Sequence, residues 1–200
     1  MICFHEIEIV LNANQFVKLC STAHKQAAVA LIIDGTQSER DPKVVFIQRA
    51  LNENDPWSGQ MALPGGRCEP EDSGPLETAC RETLEEIGLD LSNAKIFGRL
   101  DDLQGRHGGR SKNMAISCFV FGVQRIEKLF PNHEVADIIS IPISALLDPE
   151  AKTEINWHSD DRVFPGICVG DGKRIIWGLT YRFLSQFFSL LGHSLPSESD

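Results

Sequence analysis

The chain has 200 residues, 42% of them hydrophobic, which is enough for one well-formed core and too few for two enzymatic domains of ordinary size. The formal net charge of −9 argues against a surface that grips a nucleic-acid backbone, because such binding depends on clustered Lys and Arg. A nucleotide-sized ligand stays compatible with this charge, since a metal and a few local cations can attract an anionic substrate. We therefore expect a single domain over residues 1–192, with a frayed tail over residues 193–200.

The six cysteines form neither a Cys-x-x-Cys pair nor a zinc-ligand spacing, which favours small buried thiols in a reducing compartment. The first residues include acids where a signal peptide would carry basic residues. No apolar run reaches the roughly 18 residues of a membrane-spanning helix. We expect a cytoplasmic protein without a membrane partner. A homodimer is an alternative that the sequence leaves open.

The first half of the chain contains two short apolar runs, residues 27–33 and 44–47, which predict buried strands. Residues 52–66 are rich in Pro, Gly and Asn and predict a long loop. Residues 96–100 and 114–123 read as further strands, and the second is apolar enough to lie centrally in a sheet.

Between those two strands, residues 104–112 are glycine-rich and basic and predict a loop. Residues 135–143 indicate another strand, which Pro142 ends, and residues 143–147 indicate a short helix or turn. Residues 177–191 carry apolar side chains at helical spacing and predict a C-terminal packing helix.

The clearest predicted helix runs from Pro75 to Ile87, with Ser73 as a candidate N-cap and Gly88 at its C-terminal stop. At about 100° per residue, one face carries mainly apolar residues and the other carries three acids. We expect the first face to be buried, with Leu76, Cys80, Thr83, Leu84 and Ile87. We expect the second face to be exposed, with Glu82, Glu85 and Glu86.

Three glutamates on one helix face repel one another, at a cost of a few tenths of a kcal/mol for each like-charge pair. A hard dication such as Mg²⁺ or Mn²⁺ reverses that repulsion, because it prefers carboxylate oxygens as ligands. The spacing alone is more typical of an ordinary solvated acidic face. It does not by itself predict a metal site.

The surrounding residues are more specific. Gly65-Gly66 precedes the run Arg81-Glu-Thr-Leu-Glu-Glu-Ile-Gly-Leu89, and together they resemble the signature of the Nudix hydrolases. That signature is a glycine, a spacer with an acid, and then Arg-Glu-apolar-x-Glu-Glu-x-Gly-apolar. The resemblance implies an α/β fold, a Nudix-type α/β/α sandwich with a mixed β-sheet between helices. It also implies Mg²⁺- or Mn²⁺-dependent hydrolysis of a nucleoside diphosphate linked to another moiety.

The resemblance also assigns roles to residues of this chain. It implies that the metal ligands are Glu82, Glu85, Glu86 and a backbone carbonyl of the glycine turn, which we place at Gly66. Arg81 matches an arginine that orients the glutamates through a salt bridge.

Two positions depart from the family pattern. The family places a spacer glutamate eight residues before the arginine, where this chain has Ser73, and Asp72 just before it is the candidate for that acid. Thr83 stands at a position that is usually aliphatic, although its methyl group can still face the core.

Outside the signature, Gln48-Arg49, residues 58–66 and residues 177–180 resemble the coenzyme A diphosphatase branch of the family. The resemblance implies coenzyme A or a derivative as the substrate. The Leu-x-x-His of that branch is replaced here by residues 54–58, Asn-Asp-Pro-Trp-Ser. ADP-ribose, dinucleoside polyphosphates and dinucleotide cofactors therefore remain alternative substrates.

Two further alternatives are not hydrolases. The first is a non-catalytic nucleotide-binding module, against which the three intact glutamates argue. The second is isopentenyl-diphosphate isomerase-like chemistry, whose additional cysteine and glutamate are not located in this sequence.

Glu134, in the run Pro131–Ala136, resembles loop acids that act as the general base in some family members. In one alternative a glutamate of the helix is the base, and in the other Glu134 only caps the entry to the strand. His133 has no motif support.

The basic loop is expected to contact phosphate, since arginine offers a planar fork of donors. The alternative is a solvated loop without a ligand. Trp57 could stack on a base or anchor the core. The expected substrate contacts are Arg49, Trp57, Gly65, Gly66, Arg106, Arg110 and Lys112.

Overall fold

The computed structural model describes residues 2–19, 25–53, 55, 57–107, 111–156, 163–170 and 172–196, without the side chains of residues 25, 106, 107 and 111–113. The helices are α1 (Phe4–Ala13), α2 (Pro75–Ile87), α3 (Ile143–Leu146) and α4 (Gly178–Leu190), with a short 3-10 helix at Pro149–Ala151. The strands are β1 (Lys25–Asp34), β2 (Lys43–Arg49), β3 (Met61–Ala62), β4 (Gly65–Arg67), β5 (Lys95–Arg99), β6 (Leu103–His107), β7 (Ser111–Val123), β8 (Val135–Pro142), β9 (Lys152–Asn156), β10 (Val163–Val169) and β11 (Arg174–Trp177).

In the part of the chain that the structure describes, the main sheet is mixed and has eight strands. Its path is β3-β2-β1-β7-β5, while β4 pairs with β1, β6 with β7, and β8 with β2. Strands β1 and β7 run parallel from Lys25 beside Met114 to Asp34 beside Val123, and the other pairs in this sheet are antiparallel. The apolar strand predicted to be central is confirmed as such, because β7 pairs with three neighbours.

Helices cover both faces of this sheet, because alternate side chains of each strand point to opposite sides. On β1, Ala28, Ala30 and Ile32 pack towards α2, whereas Leu31 and Ile33 belong to the larger cluster that includes α1 and α4. Two apolar layers therefore sandwich the sheet. The predicted α/β sandwich with a mixed sheet between helices is confirmed.

A second sheet of three antiparallel strands, in the order β11-β10-β9, lies beside α4. Its residues Ile167, Val169 and Ile176 are buried in the same cluster as α4. Neither this sheet nor α1 was expected from the sequence. In α1 the buried residues Phe4, Ile7 and Leu11 recur at helical spacing, which is the signal that could have found it.

Three other expectations need correction. The predicted basic loop is largely a β-hairpin, since residues 103–107 form β6 and β7 begins at residue 111. The predicted long loop contains the short strands β3 and β4. The tail is anchored as far as Pro196, whose carbonyl accepts a hydrogen bond of 3.1 Å from the Tyr181 hydroxyl, and Leu195 is buried. Within the ranges described, no helix is long and apolar enough to cross a membrane.

Candidate active site

Helix α2 begins and ends where the sequence predicts. Gly88 at its C-terminus adopts a left-handed φ of 70° and donates its N–H to the Leu84 carbonyl at 3.0 Å, the usual role of glycine at this position. The predicted N-cap residue, Ser73, was wrong, because the residue at the N-cap position is Gly74. The backbone N–H of Ser73 donates to the Glu77 carboxylate at 2.6 Å instead.

The buried face of α2 differs from the predicted one. Leu76 and Leu84 are 37% and 51% exposed, although their apolar character predicted burial. The buried stripe is centred on Ala79 and Glu86, rotated by about 90° from the apolar stripe at 100° per residue. Small side chains at this stripe let the helix approach β1 and β4 closely, and Thr83 satisfies its buried hydroxyl by donating to the Ala79 carbonyl at 2.7 Å. The members of the stripe are Thr78, Ala79, Thr83, Glu86 and Ile87.

The glycine turn at β4 brings the backbone against two of the glutamates. The Gly65 N–H donates to Glu86 Oε2 at 2.8 Å. A Cβ added to Gly65, which has a φ of +148°, would lie 2.3 Å from the Ala28 carbonyl oxygen. A Cβ added to Gly66 would lie 2.2 Å from Glu82 Oε1. At Gly65 only glycine permits this approach, whereas an added Cβ at Gly66 would displace the Glu82 carboxylate.

Alanine substitutions at the two glycines should therefore have different effects on stability. Gly65→Ala combines an unfavourable φ with a clash against backbone and is expected to cost more than about 2 kcal/mol. Gly66→Ala meets the movable end of the Glu82 side chain, so the unfolding free energy should change by less than about 1 kcal/mol. Urea unfolding of both variants measures the difference. Equal losses would contradict the distinction between a backbone clash and a side-chain clash.

The glutamates lie in an environment that penalises their negative charge. Glu86 is only 3% exposed, and this burial raises its pKa to about 7, with further increases from the charges of Glu82 and Glu134. The hydrogen bond from Gly65 and the charge of Arg49 oppose that rise. Burial likewise raises the pKa of Glu82, with contributions from Glu85 and Glu134. A cation placed among these carboxylates would relieve the penalty.

Arg81 and Asp72 form a charged pair beside the glutamates. Arg81 donates Nε to Asp72 Oδ1 at 2.9 Å and Nη2 to Asp72 Oδ2 at 3.0 Å, the geometry of a bidentate pair. Its Nη1 lies 3.2 Å from carboxylate oxygens of both Glu82 and Glu85. The Asp72 side chain is 3% exposed, and the hydrogen bonds from Arg81 hold its pKa well below the usual range. Asp72 thus takes the position of the spacer acid as the partner of the arginine.

The chemistry of this donor set fits a hard dication, since its ligating atoms are carboxylate and backbone oxygens. Among the described residues, however, no group of three His, Cys, Asp or Glu side chains converges as a ready-made metal site. The reason is visible in the contacts, because Glu85 faces Arg81 while Glu86 faces the glycine turn. The structure brings Glu82 and Glu86 to the turn and leaves Glu85 beside Arg81.

Glu134 reaches the same site through a loop tied to the end of α2. The Asn132 N–H donates to the Glu86 carbonyl at 2.9 Å, and the Glu134 carbonyl accepts from Ala50 N–H at 2.7 Å. The charge of Glu134 acts on both Glu82 and Glu86, which places its carboxylate near them. His133 lies next to it with a side chain that is 87% exposed and with Nε2 3.8 Å from a Glu134 oxygen.

The expected substrate contacts divide into two groups. Arg49 lies at the end of β2 and pairs with Asp55, and the Trp57 side chain beside that pair is 37% exposed. Of the basic loop, Arg110 lies outside the described residues, as do the side chains of Arg106 and Lys112. In the sequence, Asp55 stands out only as part of the segment that departs from the coenzyme A branch. Its Asp-Pro pair is a turn signal, but nothing in the sequence links it to Arg49.

Comparison with known proteins identifies the family of the chain. The model of the NUDIX domain matches residues 24–162. Nudix hydrolase 22, chloroplastic, of Arabidopsis thaliana is 31% identical, with 86% of this chain and 57% of that protein aligned. The mitochondrial coenzyme A diphosphatase NUDT8 of Mus musculus is 25% identical, with 78% of this chain and 74% of that protein aligned.

A crystal structure of a MutT/nudix family protein from Enterococcus faecalis superimposes with a TM-score of 0.57 at 14% identity, covering 89% of this chain and 66% of that one. The likeness to that structure concerns the fold. This chain spans only 37% to 63% of the lengths of the first three curated relatives that it matches.

Proposed function

Because this chain belongs to the Nudix family, we propose that it is a divalent-metal-dependent pyrophosphohydrolase acting on a nucleoside diphosphate linked to another moiety. The observation that carries the proposal is the placement of Glu82 and Glu86 against the Gly65-Gly66 turn, with Glu134 close enough to raise the pKa of both. A cluster of carboxylates with raised pKa values is costly to fold. A bound dication would relieve that cost by neutralising the carboxylates, and it could bind an anionic substrate at the same time.

Bound Mg²⁺ or Mn²⁺ would neutralise charge on the pyrophosphate and polarise the attacking water. The ligands we propose are Glu82, Glu85, Glu86 and the Gly66 carbonyl. Recruiting Glu85 requires its carboxylate to turn away from Arg81 Nη1, which now lies 3.2 Å from it. The side chain is 53% exposed, so solvent space is available for that movement.

The other residues of the site hold groups in place or accept a proton. Arg81, fixed by buried Asp72, orients Glu82 through the 3.2 Å contact of Nη1 with its carboxylate. We assign the general base to the Glu134 carboxylate, which would accept a proton from water as it attacks phosphorus in line. A carboxylate at the edge of a loop can reach a water on the exposed side of the site.

For the substrate, coenzyme A or a derivative has the best support. The proposal draws on the residues that resemble the coenzyme A diphosphatase branch and on the 25% identity to mouse NUDT8. Thr180, within residues 177–180, donates its hydroxyl at 3.2 Å to the carbonyl of Met61, within residues 58–66. The exposed part of Trp57 offers an aromatic face to a base or a pantetheine arm. Phosphate contact is proposed for Arg49, Gly65 and Gly66, together with Arg106, Arg110 and Lys112.

ADP-ribose and dinucleotide cofactors are the second candidate class, because Asp55 and Trp57 stand where the coenzyme A branch has its own motif. A panel of coenzyme A, ADP-ribose, a dinucleoside polyphosphate and a dinucleotide cofactor, each with Mg²⁺ or Mn²⁺, tests the proposal. We expect one class to be hydrolysed with release of two phosphorylated products. Glu85→Gln should lower that rate by about a hundredfold or more, since transition-state stabilisation of several kcal/mol depends on the metal.

Glu150→Gln is the matched control for Glu85→Gln, because Glu150 is an exposed glutamate on the short 3-10 helix. It should leave the rate unchanged. If no compound is cleaved with either metal, or if Glu85→Gln retains the full rate, the enzyme proposal fails and a nucleotide-binding module remains. If coenzyme A is untouched while ADP-ribose is cleaved, only the choice of substrate fails.

A further inference from the structure

The loop between β2 and β3 contains an ion pair whose carboxylate, Asp55, has no part in the proposed chemistry. Arg49 donates Nε and Nη2 to Asp55 Oδ2 at 2.9 and 2.6 Å. The other oxygen of Asp55 accepts the Trp57 N–H at 3.0 Å. Burial raises the pKa of Asp55, but the hydrogen bonds from Trp57 and Arg49 outweigh it and leave the pKa below its usual value. The carboxylate is therefore ionised and held from two sides.

Arg49 lies within reach of the proposed metal site. In β2, Val45 and Ile47 face the cluster that contains α2, and Arg49 follows at the same alternation. Its positive charge lowers the pKa of Glu86. Its N–H donates to the Gln60 carbonyl at 3.0 Å, and that of the next residue donates to the Glu134 carbonyl at 2.7 Å. The backbone of Arg49 is thus fixed between the loop and the strand that follows Glu134.

A guanidinium beside several carboxylates tends to form a bidentate pair with one of them. The charge of this arginine acts on Glu86, and the residue after it is hydrogen-bonded to the Glu134 carbonyl. Carboxylates that repel one another attract a cation placed beside them. If the fork of Arg49 turned towards Glu86, the arginine would neutralise the carboxylate that a dication needs. Asp55 opposes this turn by holding one edge of the fork, since Nε and Nη2 both donate to its Oδ2.

We propose that Asp55 is a positioning residue that holds Arg49 away from the glutamates, so that they stay available to a divalent cation. This inference rests on the proposed metal-dependent function and adds to it a residue that governs metal affinity without touching the metal. It also gives a role to the chain's departure from the coenzyme A branch, since Asp55 belongs to the replaced segment.

The test is the affinity for Mn²⁺, measured on the purified protein without substrate by the EPR signal of free Mn²⁺. Asp55→Asn releases Arg49, and the dissociation constant should rise by about tenfold, near the low end of what a hydrogen bond to a charged group contributes. Adding Arg49→Gln removes the competitor, and the double variant should return to within about threefold of the wild type. Asp55→Glu keeps the carboxylate and should bind Mn²⁺ nearly as the wild type does.

Asp137→Asn is the matched control, since Asp137 pairs with Arg174 at the same 2.6 Å and lies opposite Gln48 rather than Arg49 in the register of β2 and β8. It should leave Mn²⁺ affinity unchanged. The proposal is overturned if Asp55→Asn binds Mn²⁺ like the wild type, or if the double variant binds as weakly as Asp55→Asn. If the wild type itself binds no Mn²⁺, the metal-dependent function fails, and this proposal fails with it. If the wild type binds Mn²⁺ and Asp55→Asn binds it equally well, only this proposal fails. Thermal unfolding of each variant shows that the loss is not one of folding.

Discussion

Replacing Glu86 by glutamine is expected to abolish hydrolysis and, at the same time, to make the metal-free protein more stable at pH 8. The rate should fall by about a thousandfold or more, because a charged ligand of the proposed metal ion would be lost. Stability should rise because glutamine is neutral and its carbonyl can still accept the hydrogen bond that Gly65 N–H now gives to Glu86. The substitution would thus raise the stability of the metal-free protein while it removes the activity.

The stability effect has a defined pH dependence. The pKa of Glu86 is raised from 4.5 to about 7, so below pH 4.5 the side chain is protonated in both the folded and the unfolded states and carries no penalty. Between these values the folded wild type loses stability as the pH rises, and above 7 the loss is about 3 kcal/mol. For a chain of this length, that corresponds to roughly 6–12 °C in Tm.

Thermal unfolding in the presence of a chelator, at pH 5 and at pH 8, measures this effect. Glu86→Gln should melt well above the wild type at pH 8 and close to it at pH 5. Glu85→Gln is the control, since Glu85 is half exposed and no such pH-dependent gain is expected. A Glu86→Gln protein that melts below the wild type at pH 8 would contradict the idea that burial penalises this carboxylate.

Substitution of Asp72 by asparagine should have the second largest effect on the protein. Unlike Glu86→Gln, it should lower the stability of the fold. Asp72 is buried, and besides the bidentate pair it accepts hydrogen bonds from the Thr78 hydroxyl at 2.7 Å and the Glu69 N–H at 2.9 Å. Because the Arg81 side chain is 23% exposed, the loss should be smaller than the 3–5 kcal/mol typical of a fully buried ion pair, at about 2–3 kcal/mol. The hydrolysis rate should also fall by about 10- to 100-fold, as is usual when a residue that orients metal ligands is lost.

The pH dependence distinguishes a lost charge from a merely altered shape. The pKa of Asp72 is held below its ordinary 3.8, so its stabilisation is fully present above that value and is lost as the pH falls below it. The gap in Tm between Asp72→Asn and the wild type should therefore be wide at pH 7 and narrow at the lowest pH at which both stay folded. Glu71→Gln, at the exposed neighbouring position, should match the wild type throughout. A gap that does not change with pH would exclude the ion pair as its cause.

Local patterns in the sequence predicted much of this structure. The run from Pro75 to Ile87 carries a helix-starting proline and is followed by a glycine, and the helix has those limits. The strands around residues 27–33 and 44–47 are neighbours in the sheet. Pro142 ends β8 as predicted. Such boundaries depend on residues close together in the chain, which is why the sequence reveals them.

Other features depend on tertiary contacts and were hidden. Hydrophobicity predicted that Leu84 is buried and Glu86 exposed, and the structure has the reverse. The glycine turn of β4 supplies a hydrogen-bond donor to Glu86, and that donor comes from a segment far away in the chain. The pairing of Arg49 with Asp55 likewise depends on how the loop folds back. No periodicity encodes such contacts.

The parallel pairing of β1 with β7 has a consequence for how the chain folds. Lys25 lies beside Met114 and Asp34 beside Val123, so the two central strands meet only after nearly ninety intervening residues have been synthesised. The Gly65-Gly66 turn is itself paired with β1 and depends on that strand being held in the sheet. Contacts of such long sequence separation slow folding, because the entropy of closing the loop is lost before the contacts form. Assembly of the glutamate site is therefore expected to be a late event, limited by the docking of β7.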